Sequence, residues 1–153
     1  MVSLEDEKFW SYAFKVKACW NLGASALFFF GPIVSTRLRE FAGVTSPLAF
    51  MYSQAFLVHS ALLGVGYWIV GRDTRRNHLI VWAGVIAKIA FISILVYNWA
   101  ALSTISFDKL GPALVDFVFL IVFVAFLRRA RRYARSEGSE GSEGSDDGRL
   151  ERR

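Results

Sequence analysis

Four apolar runs divide this chain, separated by short charged or helix-breaking segments. They extend roughly from Val16 to Thr36, Leu48 to Val70, Leu79 to Leu102 and Gly111 to Leu127. Runs of this length and uniformity predict membrane-spanning helices rather than the faces of a soluble core. At 1.5 Å per residue, each of the first three crosses a hydrocarbon layer of ~30 Å. The fourth is shorter and should stand near the membrane normal. The expected fold is therefore all-α: a polytopic membrane protein built as a four-transmembrane-helix bundle. The bundle occupies residues 1–127. Residues 128–153 form a basic juxtamembrane segment and a disordered acidic tail.

The punctuation suits helices. Ser46-Pro47 precedes the second run and Gly111-Pro112 opens the fourth, with proline placed in a first turn. Gly71, before Arg72-Asp73, stands where a helix C-terminal stop is expected. Pro32 falls inside the first run and removes a backbone donor, which predicts a kink near Phe28–Gly31.

Charge then orients the spans. Eleven Lys and Arg residues flank the N-terminal segment, the loop between runs two and three, and the start of the tail, against Arg37, Arg39 and Lys109 on the other side. The positive-inside rule puts both termini in the cytoplasm of a cell whose inner, or plasma, membrane holds the protein. Trp20, Trp68 and Trp82 fall at the expected inner ends. Trp99, Tyr52 and Tyr97 fall at the outer ends, as an aromatic belt requires. The N-terminus lacks a basic n-region and a small-residue cleavage site, so the first run is expected to be a retained span. The excess positive charge, +5 overall, reads as a topology and lipid-surface signal, not as nucleic-acid binding. The single cysteine, Cys19, argues against a dithiol relay within the chain. The tail repeats Ser-Glu-Gly three times and has no apolar periodicity, which predicts disorder after Arg135.

Candidate chemistry lies in the polar residues that interrupt the runs. Lys88 stands mid-run, where a charge costs roughly 2.5–3.5 kcal/mol on insertion scales. Asp116, in the next run, is its natural counter-ion. Counted from the inner ends, His59, Lys88 and Asp116 lie ~16, ~14 and ~16 Å deep. Gln54 lies over one turn further out. These four residues define the expected binding site, a polar midplane pocket. Acid, base and imidazole at one depth are the ingredients of a proton relay, and equally of interhelical hydrogen bonding. Ser53, Ser60, Gly64 and Tyr67 trace one face of the second run, and Asn21 with Ser25 makes a mild polar strip on the first. Gly84, one turn before Lys88, leaves room for a neighbouring backbone. No P-loop, Rossmann glycine pattern, His-Glu-x-x-His or nucleophile elbow is present.

One ordered set of motifs carries a family resemblance. It comprises Gln54, then Gly64-Val65-Gly66-Tyr67, the loop Arg72-Asp73-Thr74-Arg75-Arg76-Asn77-His78, then Gly84-Val85-Ile86-Ala87-Lys88, and Asp116. In this order and spacing the chain resembles the DoxX-like group of small four-span bacterial membrane proteins. The resemblance implies a four-helix membrane fold and association with redox-related membrane complexes. It implies no defined reaction.

Two functional classes follow. One is an accessory or small-molecule-binding subunit of a membrane complex, redox-related in the family's manner. The other is a proton-coupled small-solute transporter using a Lys88–Asp116 pair. An intramembrane enzyme acting on lipid or quinone is a weaker third, because no nucleophile or metal set is visible. Candidate partners are the bilayer, a second copy of the chain or a membrane redox protein, with quinone or lipid as small molecule. The sequence identifies no cofactor.

Overall fold

Apolar runs propagate helix once nucleated, because each added residue gains one backbone bond. The computed structural model describes residues 4–44, 46–103 and 107–143, and these are helical apart from short turns. In chain order they form α1 (Leu4–Val34), the short α2 (Thr36–Phe41), α3 (Pro47–Arg72), α4 (His78–Ala100), a 3-10 turn (Phe107–Leu110) and α5 (Gly111–Glu143). Among the described residues, three helices are long and apolar enough to cross a membrane: α3, α4 and the Gly111–Arg131 part of α5. The chain divides into two compact units, Met1–Ile86 and Ala87–Arg153.

α1 differs from its sequence reading. It starts at Leu4, three turns before the expected Val16, and is not among the three strongly apolar helices. The cause lies within its apolar stretch. Lys17, Asn21 and Ser25 interrupt that stretch, and all three are buried. Their spacing of four residues places them on one helical face. The opposite face is apolar and exposed, through Val16, Trp20, Leu27, Phe30 and Ile33. Pro32 lies in the last turn, and the helix continues through it to Val34.

In the first unit α1 packs along α3. Small residues permit the approach. A Cβ at Gly64 would stand 3.1 Å from Asn21 Cβ and 3.3 Å from the Ala18 carbonyl oxygen. Asn21 Nδ2 donates to the Ser60 carbonyl at 3.2 Å, so the polar strip of α1 meets the small-residue face of α3. Gly71 corrects the sequence reading. It is not the helix stop, since α3 runs on to Arg72 with Asp73 as its C-cap. A Cβ at Gly71 would stand 3.1 Å from the Ser11 carbonyl oxygen, and Ser11 Oγ donates to the Gly71 carbonyl at 2.6 Å. This glycine is a contact residue between helices.

The turn after α1 closes by local chemistry. Ser35 caps α2, accepting from the Leu38 amide, and Ser35 N–H donates to the Gly31 carbonyl. Arg39 donates through Nε and Nη2 to the Pro32 carbonyl at 3.1 and 3.0 Å. These bonds satisfy carbonyls that a helix end leaves open. Ser46 caps α3 by accepting from the Ala49 amide at 3.1 Å, with Pro47 in the first turn as expected.

Gly84 also differs from expectation. Its neighbour is the ring of Tyr67 rather than a backbone: a Cβ there would stand 2.8 Å from Tyr67 Cε1. Tyr67 is fully buried, as are Val70 on α3 and Val81 on α4.

In the second unit α5 continues to Glu143, through most of the Ser-Glu-Gly repeats. Composition predicts disorder there. Extending an existing helix avoids the nucleation cost, which offsets part of the ~1 kcal/mol that each of Gly138 and Gly141 costs inside a helix. Residues 144–153 of the tail, and the N-terminal residues 1–3, lie outside the described residues.

Candidate functional site

The strongest polar constellation is built on α4 and α5. On α4, Lys88 is buried. On α5, Ala113, Phe123, Phe126 and Leu127 are buried, with Asp116 half-buried. Lys88 Nζ stands 2.8 Å from Asp116 Oδ1. The lysine side chain is 5% exposed and the carboxylate side chain 20%. Lys88 Nζ also stands 5.4 Å from the centroid of the Phe123 ring. Phe123 in turn meets Phe119 edge-on at 6.4 Å. The ammonium therefore has a carboxylate as one partner and an aromatic ring as another, an arrangement that tolerates charge out of water.

Such a pair does two things chemically. It holds a strong local dipole in an apolar setting. It also offers a carboxylate with residual access beside a cation almost without any, so a polar ligand or proton approaching the pair meets Asp116 first.

Gln54 and His59 belong to the first unit. His59 is exposed on α3, and its Nδ1 lies 2.7 Å from the Ala55 carbonyl one turn back. A carbonyl only accepts, so Nδ1 carries the proton in this contact. One ring nitrogen is thereby satisfied by its own helix. Asn98 on α4 follows the same rule, donating to the Ile94 carbonyl at 2.9 Å. Gln54 is half-buried on α3, with no hydrogen bond to its amide among the described residues.

Lys17, one of the eleven Lys and Arg residues whose distribution orients the chain, is a buried cation, 1% exposed. The signal is in the sequence: Lys17, Asn21 and Ser25 recur every four residues, which extends the polar strip of Asn21 and Ser25 to the lysine. Arg39 was likewise read as a topology charge, and it turns out to cap the end of α1.

No protein-family model, curated protein or solved structure matches this chain.

Proposed function

We propose that this chain is a DoxX-like, four-span protein of the bacterial inner membrane, acting as an accessory or small-molecule-binding subunit of a redox-related membrane complex. The observation that carries this reading is the Lys88–Asp116 ion pair, held at 2.8 Å on two strongly apolar helices. A charge placed so deep in an apolar helix marks a functional site by default. On this reading the pair is the core of a polar site near the membrane midplane.

Support for α1 as the fourth span comes from its inside-out pattern. Within its apolar stretch Lys17, Asn21 and Ser25 are buried, and the opposite, exposed face is apolar. A helix in water shows the reverse arrangement. The aromatic belt supports the membrane placement, because Trp20, Trp68, Trp82, Trp99, Tyr52 and Tyr97 are all exposed. Both termini are cytoplasmic on the charge count.

Native mass spectrometry of the protein in mild detergent tests the binding reading. A retained quinone or lipid-sized ligand that is lost in Lys88→Met supports it. The same ligand retained in Lys88→Met and in Asp116→Asn moves the site elsewhere.

One observation favours a second reading, a proton-coupled transporter. Asp116 is more accessible than Lys88, which is what a coupling carboxylate requires. Solute-dependent proton flux in proteoliposomes, abolished in Asp116→Asn, would establish it over the first.

A further inference from the structure

A second polar site lies in the first unit, where the N-terminal half of α1 meets the C-terminal end of α3. Its cleft measures about 380 Å³, within the ~300–1,000 Å³ range of ligand sites. Lys8, Ser11, Tyr12 and Lys15 line one wall, and Arg72 and Thr74 the other. Gly71 makes up the floor, where the absence of a side chain lets α1 approach.

The charges here are unbalanced. Glu7 also lines the cleft, but Arg75 engages its carboxylate at 2.9 Å. Asp73, beside the cleft in the chain, lies 3.6 Å from Arg76. Among the described residues no acid pairs with Lys8, Lys15 or Arg72. Three cations thus converge on one concavity whose nearest carboxylates are already engaged. Such an arrangement takes a phosphoryl or similar anion.

The surroundings select the source of that anion. One helical turn along α1 from Tyr12 stands Val16. One turn along α3 from Arg72 stand Trp68 and Ile69. All three are exposed. The cationic cleft therefore opens onto an apolar surface on the side toward the middle of both helices. A phospholipid has this same profile, an anionic head followed at once by acyl chain. Basic pockets at the cytoplasmic ends of spanning helices hold such headgroups.

We infer that the cleft between α1 and α3, through Lys8, Lys15 and Arg72, binds the phosphoryl headgroup of an anionic phospholipid. The lipid source rests on the membrane placement proposed above. The anion chemistry does not.

Native mass spectrometry of the full chain, titrated with phosphatidylglycerol or phosphatidylcholine in mild detergent, tests this. Phosphatidylglycerol binds in preference. Lys8→Gln, Lys15→Gln and Arg72→Gln each weaken it about five-fold, the worth of one cation near an anionic surface. Arg128→Gln, an exposed cation outside the cleft, changes it far less. Equal binding of the two lipids, or an effect of Arg128→Gln equal to the cleft variants, overturns the assignment. If millimolar inorganic phosphate displaces the lipid headgroup, the ligand is a soluble phosphate and the lipid source is overturned. Should a variant fail to fold, salt titration of the unaltered protein decides: phosphatidylglycerol binding must weaken with salt while phosphatidylcholine binding holds. Carbonate extraction of vesicles carrying the protein is read separately. Extraction from the vesicles overturns the membrane placement, whatever the lipid titration gives.

Discussion

Replacing Asp116 by asparagine keeps the side-chain shape and an accepting oxygen but removes the charge that faces Lys88 at 2.8 Å. Lys88 is then a nearly inaccessible cation with a neutral partner. Its contact with the Phe123 ring, at 5.4 Å, offsets part of the loss, on the order of 0.5–2 kcal/mol for a cation over a ring. Breaking a buried pair costs about 3–5 kcal/mol, and the surviving ring contact and amide place Asp116→Asn near the low end. Lys88→Met strands the other ion, but the Asp116 side chain keeps 20% exposure and hence some hydration. That change should cost less, about 1–2 kcal/mol, as for an acceptor left partly unsatisfied. The double change removes both charges and should recover part of the larger loss. Guanidinium or thermal unfolding in detergent gives the four stabilities of the cycle. The expected results are a coupling above ~0.5 kcal/mol and a larger cost for Asp116→Asn than for Lys88→Met. If the single changes add, the two residues do not support each other. If Lys88→Met costs more, the argument from their unequal burial is wrong.

Gly84→Ala drives a methyl group into the buried side chain of Tyr67, whose hydroxyl is its nearest atom, and overpacking of this kind costs about 1–3 kcal/mol; the same change in a Tyr67→Phe background should cost less, and equal costs in unfolding assays would show that the hydroxyl is not the obstacle. Gly64→Ala and Gly23→Ala should shift the unfolding midpoint in opposite directions. Gly64 has helix α1 at 3.1 Å, whereas nothing lies within 4 Å of a Cβ at Gly23, and an open helical glycine gains about 0.5–1 kcal/mol on becoming alanine. Stabilisation by Gly64→Ala would refute the close α1–α3 approach. For topology, cysteines at Ser3 and Ser139 in a Cys19→Ser background should resist an impermeant thiol reagent applied to intact cells, and labelling of either from outside would place that terminus across the membrane.

Helix positions follow from local information. α3 and α4 begin and end within two residues of the apolar runs that predict them, and α5 starts at the expected Gly111. Transfer out of water depends on composition over a window, and a window can be read along a chain. The proline at the start of α3 and its Ser46 cap are equally local, since each acts within one turn.

Rotation of each helix about its axis is not local, and the site depends on it. Depth counting places Lys88 and Asp116 at similar heights whichever way they face; packing turns them to 2.8 Å. Gly71 has the sequence signature of a stop, and only the presence of Ser11 and Lys15 across from it makes it a contact. Lys17 counts as an interfacial charge in any tally of cations, yet the fold buries it. His59 and Lys88 both interrupt apolar runs, but one bonds to its own backbone and the other to the next helix. Hydropathy measures how strongly a residue prefers water to hydrocarbon. It carries no direction around the helix, so the partner of each buried polar group is decided when neighbouring helices select which face to cover.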